Sequence, residues 1–340
     1  MEKIRDRNYL VDNLKVVLIF FVVFGHVIEY YIKDNIELRI IYIFIYTFHM
    51  PLFVFISGYL SKNFYRMKRK AVEKLLIPYI IFNMIWYIAV YIGTKRFMFS
   101  VISPGWTLWY LLSLFFWRIS LKYLVRFKYV LILSFLVGAL VGVIPSIGSI
   151  LSISRTIVFL PFFLLGYYTK KEHLDKISNF NKLLSILGII IFLFFAIYIV
   201  KMDLFDYKFL YYSYSFKALD VSLLRGILFR IILYISSIIF SICVISLVPK
   251  KKKSYTNLGK ATMNIYVFHI YLVMLVYFFI PKWNIGIIPN ILVLLSPFLI
   301  IYLLSRKRTN KVYEGIFFPV NASIDTGKKS YKKYKKNKKT

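Results

Sequence analysis

Residues 14–31 read LKVVLIFFVVFGHVIEYY, and this stretch decides the fold. Apart from tyrosine, its ionisable groups are Lys15, His26 and Glu29. Because crossing the hydrocarbon core of a bilayer takes about 20 mostly apolar residues, a run of this length predicts a transmembrane helix. Similar runs recur along the chain, so we predict an all-α, polytopic membrane bundle of about ten transmembrane helices. The predicted spans are residues 14–31, 40–60, 75–92, 106–121, 127–144, 150–169, 183–200, 225–248, 262–281 and 286–305.

The composition also indicates a membrane protein. Of the 340 residues, 60% are hydrophobic and 18% are charged, and the mean hydropathy is +0.69, which is far more apolar than a soluble domain. The formal net charge of +32 comes mainly from basic segments between the apolar runs. This pattern excludes an ordinary soluble enzyme and a nucleic-acid-binding domain. The one cysteine, Cys243, lies in an apolar run, which excludes a disulfide framework and a thiolate metal site.

The distribution of basic residues predicts the orientation. Clusters of Lys and Arg precede the first span and follow the second, fourth, sixth and eighth spans, whereas the intervening loops hold few. By the positive-inside rule, both termini are predicted to face the cytoplasm. The first run is long enough to span by itself, so we expect it to be retained and not cleaved as a signal peptide.

The same distribution suggests a division of the chain into two parts. We expect a multi-pass protein of the bacterial plasma membrane, with residues 1–305 forming the membrane domain. Residues 306–340 are expected to form a basic, disordered cytoplasmic tail. The Lys-rich end at 328–340 is too polar and too like-charged to bury a core, and it would lie against anionic membrane lipid.

Polar side chains inside predicted spans are costly and therefore indicate functional sites. Lys15 precedes His26 by eleven residues, just over three helical turns, so both side chains share one face about 16 Å apart. Glu29 follows His26 by three residues and shares that face. A neutral, purely structural histidine is the ordinary interpretation, and it is weakest for His26 because two charged residues share its face.

His49 and His269 are predicted to reach a similar depth in the second and ninth spans, and each could equally be a structural histidine. A metal site of three histidines and Glu29 is not favoured, because they come from separate helices without HxxxH spacing. A Ser-His-Asp hydrolase has less support, since the sequence contains no GxSxG nucleophile elbow.

Several motifs in a fixed order carry a resemblance to a known family. They are YLVDNLK at residues 9–15, Gly25-His26, FHMPLFVFISGY at 48–59, LLIPY at 75–79, WTLWYL at 106–111, LPFFLLGYY at 160–168, and Leu258-Gly259 through Tyr266 to His269. The set resembles the acyltransferase family 3 integral-membrane O-acyltransferases, above all the branch of fucose O-acetylase-like and capsular polysaccharide O-acetyltransferases. It runs from about residue 8 to 305, and the order of the motifs is its specific feature.

The resemblance implies ten helices, acetyl-CoA as the acyl donor, and transfer to a sugar hydroxyl of a surface polysaccharide or a lipid-linked oligosaccharide. No metal and no nucleic acid is implied. The family's motif of Arg, ten residues and His maps onto Lys15 and His26, with Lys where many members have Arg. Lysine keeps the positive charge but lacks the bidentate fork of arginine.

The residues suggest roles in such a reaction. Transfer to a hydroxyl needs a base, and imidazole suits that task. We assign it to His26, with Glu29 or His49 orienting the ring. Coenzyme A is polyanionic, so basic residues near the cytoplasmic surface are expected to bind it, although a basic loop there also fits a topology signal. The candidate donor-binding residues are Lys15, Arg66, Arg69, Lys70 and Lys74.

Three aromatic residues, Trp106, Trp109 and Tyr110, lie at the predicted outer interface. An aromatic belt explains them, and so does sugar stacking. With His269 they are the candidate substrate-binding residues. A rival class is a transporter or flippase of a lipid-linked saccharide or a small anion, which would also use polar residues at mid-membrane. The chain shows no paired Gly/Pro-interrupted spans in two matching halves, so the acyltransferase is favoured.

Overall fold

The computed structural model of the chain describes residues 8–97, 99–145, 150–281 and 287–317. Within these ranges the fold is all-α, with thirteen α-helices and no β-strand. The helices are α1 (Tyr9–Glu29), α2 (Ile36–Tyr59), α3 (Phe64–Ala71), α4 (Ile77–Thr94), α5 (Trp109–Leu124), α6 (Val130–Leu140), α7 (Ile153–Tyr168), α8 (Lys171–Ser178), α9 (Lys182–Lys201), α10 (Leu223–Leu247), α11 (Thr262–Phe279), α12 (Ile287–Leu304) and α13 (Lys307–Phe317).

In the part of the chain that the structure describes, seven segments are long and apolar enough to cross a membrane: α1, α2, α4 with the π turn before it, α7 with the 3-10 turn before it, α9, α10 and α11. The pair α12 and α13, bent by 63°, counts as an eighth if it is one broken span. The chain is therefore an integral membrane protein with several spanning helices. All ten predicted runs contain a helix, and seven or eight of the described segments are long and apolar enough to be candidate spans. The helix in the fourth run, α5, has 16 residues, and the apolar segment Val130–Val143 in the fifth run is shorter still.

The segment predicted to be a disordered tail begins as a helix. Residues 307–317 form α13, and its last residue, Phe317, is buried. Phe317 and Tyr313 pack on Phe82 of α4, with ring centroids 6.1 and 6.3 Å away. These aromatic contacts hold α13 against the bundle, which composition alone did not predict. Residues 318–340, including the Lys-rich end, lie outside the described residues.

A close crossing of α2 and α7 forms the centre of the bundle. A Cβ atom on Gly58 would lie 1.9 Å from the carbonyl oxygen of Phe163, and one on Gly166 would lie 1.9 Å from the carbonyl oxygen of Phe55. The two helices therefore meet backbone to backbone, as small residues allow in membrane bundles. On its other sides α2 packs against α1, α9 and α10, and α1 in turn packs against α11 and α12.

The connection between α9 and α10, residues 202–222, folds back over the bundle. It contains short 3-10 turns at Tyr207–Tyr211 and Lys217–Leu219. Ser154 of α7 donates a 2.6 Å hydrogen bond to the carbonyl oxygen of Tyr212, and the backbone N–H of Phe216 donates a 2.7 Å bond to the carbonyl of Gly142. We call this connection the α9–α10 loop.

A buried arginine on α10 fixes the same loop. Arg230 is 1% exposed, and its guanidinium carbon lies 5.5, 4.9 and 5.3 Å from the ring centroids of Phe209, Tyr212 and Phe216. Three aromatic faces from one loop thus surround the Arg230 cation. This arrangement stabilises both the buried charge and the loop. The loop is held firmly enough to contribute side chains to a site.

Candidate active site

The His26 ring is oriented by a carboxylate one turn further along α1. Its Nδ1 lies 3.0 Å from Oε2 of Glu29. A carboxylate accepts hydrogen bonds, so Nδ1 carries the proton in the neutral ring, and Nε2 keeps a free lone pair. The i, i+3 spacing that suggested a shared face therefore gives a direct contact, and His26 is held in the tautomer that a base requires.

Two tyrosines from distant segments fix this pair. Tyr211 of the α9–α10 loop donates a 2.5 Å hydrogen bond to Oε1 of Glu29. Tyr277 near the end of α11 donates to the backbone carbonyl of His26. Both oxygens of Glu29 are therefore engaged, one by the ring that it orients and one by the loop.

A cavity of about 80 Å³ opens in front of the His26–Glu29 pair. Five of the predicted site residues line it, although they come from different helices. We call this space the histidine cavity, and its lining residues are His26, Glu29, Tyr46, His49, Met50, Trp106, Trp109, Arg155, Phe159, Leu210 and Tyr211.

The other two buried histidines are bonded to their own helices. His49 Nδ1 lies 2.8 Å from the carbonyl oxygen of Ile45. Of the two residues predicted to orient the His26 ring, Glu29 and His49, it is Glu29 that hydrogen-bonds to the ring. His269 Nδ1 lies 2.7 Å from the carbonyl oxygen of Tyr266. Its ring centroid is 5.4 Å from that of His26, and its buried Nε2 has no hydrogen-bond partner among the described residues.

The predicted aromatic residues divide between two places. Trp106 lies beside His26, and the two ring centroids are 5.7 Å apart. Trp109 is packed against Phe159 at 5.2 Å. Tyr110 instead contacts the hydroxyl of Ser57 and lines a second cavity nearer the other end of α1.

Arg155 is a member of the site that the sequence analysis did not identify. It stands in the first turn of α7, where Nε donates to the carbonyl oxygen of Tyr211 at 2.9 Å and Nη2 donates to Oγ of Ser213 at 3.2 Å. Its guanidinium lies 5.2 Å from the Trp109 ring centroid. An arginine inside an apolar run is the same signal that singled out His26, and it could have been found by that rule.

Two further cavities lie towards the N-terminal end of α1, and Lys15 lines both. One, of about 140 Å³, is mostly apolar and also contacts Ser57, Tyr110 and Tyr266; we call it the apolar slot. The other, of about 730 Å³, is lined by both apolar and charged side chains, with lysines prominent among the charged ones; we call it the basic basin. Lys15 forms an ion pair of 3.0 Å with Asp12.

The cations of the basic basin are mostly not the predicted ones. Besides Lys15, the basin is lined by Lys62, Lys171 and Lys250, with Asp12 and Asp175 as acidic residues. Desolvation lowers the pKa of the Lys62 ammonium, and the nearby Glu172 carboxylate partly opposes that shift.

The remaining predicted donor-binding residues lie on or next to α3. Lys70 is on α3 and Lys74 is in the π turn that follows it, and neither is among the residues that line the basin. Arg66 and Arg69 also lie on α3, but their side chains are outside the described part of the structure.

One buried amide positions a wall of the basin. Asn13 Nδ2 donates to the carbonyl oxygens of Pro249 and Lys251, at 2.7 and 3.0 Å. Its Oδ1 accepts a 2.6 Å bond from the hydroxyl of Thr256. The turn that carries Lys250 is therefore bound to the first helix, next to Lys15.

The described side chains offer no group of three or more His, Cys, Asp or Glu residues arranged to hold a metal ion. The residues around His26 instead form an imidazole with a hydrogen-bonded carboxylate, a fixed cation and aromatic walls. The residues around Lys15 form a cationic basin beside an apolar slot. Both places lie on α1, separated by eleven residues or about 16 Å of helix.

Comparison with known proteins identifies the family. The profile of the acyltransferase domain, acyltransferase family 3, matches residues 8–306. The chain belongs to this family. It is therefore an acyltransferase, and it needs an acyl donor.

One curated relative and the solved structures add context. The chain is 30% identical over 182 residues to nodulation protein NolL of Sinorhizobium fredii (strain NBRC 101917 / NGR234). That alignment covers 48% of this chain and 48% of the relative, so the chain matches about half the length of that protein. No solved structure matches this acyltransferase.

Proposed function

We propose that this acyltransferase is a membrane O-acetyltransferase that moves an acetyl group from acetyl-CoA to a hydroxyl of a surface polysaccharide or of its lipid-linked precursor, with His26 as the general base. The observation that carries the proposal is the 3.0 Å contact between His26 Nδ1 and Glu29. It leaves the Nε2 lone pair free beside a cavity, on the same helix as Lys15.

The chemistry follows from that geometry. As the acceptor hydroxyl approaches, His26 Nε2 takes its proton, and the hydroxyl oxygen forms a bond to the acyl carbon. Glu29 stabilises the imidazolium that results, because a carboxylate beside the ring favours its charged form. A positioned base of this kind contributes about 10²–10⁴-fold to the rate.

The N-terminal end of α1 suits the donor. A coenzyme A nucleotide carries several negative charges, and the basic basin holds four lysines against two aspartates. The apolar slot shares Lys15 with the basin and extends towards Tyr266, one turn before His269. Phosphates held in the basin would leave the slot for the uncharged arm that carries the acyl group. The predicted orientation puts this end at the cytoplasmic surface, where acetyl-CoA is available.

The histidine cavity suits only the reacting part of the acceptor. Its volume of about 80 Å³ is about half of the roughly 150 Å³ that hold a benzene molecule. An acetyl group and one hydroxyl fit, whereas a sugar ring stays at the mouth. Trp109 is already covered by Phe159 and Arg155, so stacking on a sugar falls to Trp106.

The test is O-acetyl content of surface polysaccharide, measured by mass spectrometry in a deletion strain complemented with single variants at matched membrane protein level. We expect His26→Ala to abolish O-acetylation while acetyl-CoA binding, measured by calorimetry, stays within about 2-fold of wild type, since proton transfer and not donor capture is lost. Lys15→Ala should weaken acetyl-CoA binding, and Lys15→Arg should restore much of it.

The matched control is His173→Ala, because His173 is exposed on α8 and should be dispensable. O-acetylation at near wild-type level in His26→Ala would refute the base. If neither the variants nor the deletion changed any acyl modification, the proposed acceptor would be wrong, and a transporter of a lipid-linked saccharide would be favoured.

A further inference from the structure

Arg155 lines the histidine cavity and keeps one guanidinium nitrogen, Nη1, without a hydrogen bond to the described residues. Nε and Nη2 of its guanidinium are used by Tyr211 and Ser213. Nη1 donates to no group in the described ranges, although the side chain lines the cavity together with His26. Three contacts, two to the α9–α10 loop and one to Trp109, hold the guanidinium in one orientation. It is a prepositioned donor.

Arg155 also has no carboxylate in contact. The oxygens of Glu29 bond to His26 and Tyr211, and none of the ion pairs among the described residues includes Arg155. Keeping a cation at such a place in a membrane protein is costly and marks function. Since no carboxylate neutralises it directly, its charge is available to an anion that forms inside the cavity.

We propose that Arg155 is a catalytic residue that donates from Nη1 to the acyl carbonyl oxygen and stabilises the negative charge that develops there during transfer. This inference rests on the proposed function. It adds a residue to the reaction that neither the sequence motifs nor the His26–Glu29 pair assigns.

The step balances in bonds and charge. The acceptor hydroxyl gives its proton to His26 Nε2, its oxygen forms a bond to the acyl carbon, and the C=O π electrons move onto the carbonyl oxygen, which accepts from Arg155. When these electrons return from the oxyanion to re-form the C=O bond, the carbon–sulfur bond of the thioester breaks, and the leaving thiolate takes the proton from His26. The charges of Glu29 and Arg155 sum to zero before the step. The added imidazolium and oxyanion also sum to zero, so no net charge is created in the cavity.

Other donors at the cavity are weaker candidates. The Tyr211 hydroxyl is already used by Glu29. The indole N–H groups of Trp106 and Trp109 are neutral, and charge-assisted hydrogen bonds are roughly twice as strong as neutral ones. Arg155 and His26 both line this small cavity of about 80 Å³, so an acyl group that reaches His26 enters the space that Arg155 also lines.

The test uses purified full-length protein in detergent, with acetyl-CoA and de-O-acetylated polysaccharide from the host. Relative to wild type, we expect Arg155→Met to lower kcat by about 10²–10³-fold, the loss typical of an oxyanion donor. The KM for polysaccharide, the acetyl-CoA affinity from calorimetry and the thermal midpoint should change little. Arg155→Lys keeps the charge and should retain more activity. Arg225→Met is the matched control, since Arg225 is exposed at the start of α10.

A second measurement separates chemistry from folding. Millimolar guanidinium should restore part of the activity of Arg155→Ala and none of that of His26→Ala, because only the former lacks a guanidinium group. A raised KM for polysaccharide with unchanged kcat would overturn the proposal and make Arg155 an acceptor-recognition residue.

The remaining outcomes are also decisive. Unchanged kcat in both Arg155→Met and Arg155→Lys, with His26→Ala inactive, would refute the role of Arg155 and leave the proposed function intact. If Arg155→Met does not fold, the Lys variant and the guanidinium rescue decide. No transfer by wild type from acetyl-CoA to the polysaccharide would instead refute the proposed function, and this inference with it.

Discussion

Tyr211 donates a 2.5 Å hydrogen bond to Oε1 of Glu29 across 182 residues of sequence. The bond joins the α9–α10 loop to α1, the helix that carries His26. The same loop supplies the carbonyl of Tyr211 and the hydroxyl of Ser213 to Arg155. A connection between two helices is therefore a structural part of the candidate active site.

Glu29→Gln should lower kcat by about 100-fold, because a neutral amide does not stabilise the imidazolium that forms when His26 takes a proton. The side chain keeps its size, so the thermal midpoint should hardly change. Transfer rates with acetyl-CoA check this. The control is Glu37→Gln, an exposed carboxylate in the first turn of α2, and equal effects of the two substitutions would contradict the assignment.

Tyr211→Phe should reduce kcat by about 10-fold. It removes one hydrogen bond to a charged group, and such bonds contribute about 1.5–3 kcal/mol. Steady-state kinetics and a melting curve separate this effect from unfolding. Tyr214→Phe, at a tyrosine of the same loop that is 40% exposed, should behave like wild type. A similar loss in both variants would mean that the loop is sensitive to any change.

Arg230→Met should loosen the α9–α10 loop, because the three aromatic rings around the cation lose their shared partner. We expect faster amide hydrogen exchange in residues 207–216 and a lower kcat, with acetyl-CoA affinity unchanged. Arg225→Met, on the same helix, is again the control. Unchanged exchange in the loop of Arg230→Met would show that the hydrogen bonds of Ser154 and Phe216 suffice to hold it.

Gly58→Ala and Gly166→Ala should each lower the thermal midpoint and the yield of folded protein. A methyl group at either position collides with a backbone carbonyl, and overpacking of this kind costs at least about 1–3 kcal/mol. Gly93→Ala is the matched control, since a Cβ at Gly93 of α4 would meet nothing within 4 Å. If both Gly58→Ala and Gly166→Ala kept the wild-type thermal midpoint, α2 and α7 could move apart without a loss of stability.

Lys171→Ala combined with Lys250→Ala should weaken acetyl-CoA binding by about 10-fold, because two charges near the donor phosphates are lost. Lys70→Ala combined with Lys74→Ala should have a smaller effect, as these residues do not line the basin. Calorimetry at low and high salt measures both, and the difference should shrink with salt. If the Lys70 and Lys74 double variant instead weakened binding more, the donor would lie against α3, as predicted from the sequence.

The contacts that sequence periodicity predicts well are those along one helix. The positions of Lys15, His26 and Glu29 on α1 follow from 3.6 residues per turn, and the His26–Glu29 contact agrees with that arithmetic. Trp106, predicted as a candidate substrate-binding residue at the outer interface, lies beside His26, but its distance to that histidine was not part of the prediction. The roles of these residues stay predictions until variants are measured.

Contacts that a loop makes by folding back onto the helix bundle were not predictable in this way. Tyr211 reaches Glu29 only because the α9–α10 loop folds back, and no spacing along the chain encodes that return. Arg155 lies inside the predicted span 150–169, and the rule that singled out His26 was not applied to it. Hydropathy measures the length of an apolar run and not the length of the helix inside it, and α5 and the Val130–Val143 segment are shorter than the runs that predicted them.

The glycine crossing of α2 and α7 restricts how the protein can move. Gly58 and Gly166 have only hydrogen atoms where they face the carbonyl oxygens of the other helix. Sliding one helix along the other by one residue, about 1.5 Å, would bring residues that carry a Cβ atom against those oxygens. The pair therefore forms a rigid frame, and shear motion between these two helices is blocked. Any opening that admits substrate has to come from elements outside the frame, such as α1, α11 and the loops at either end of the bundle.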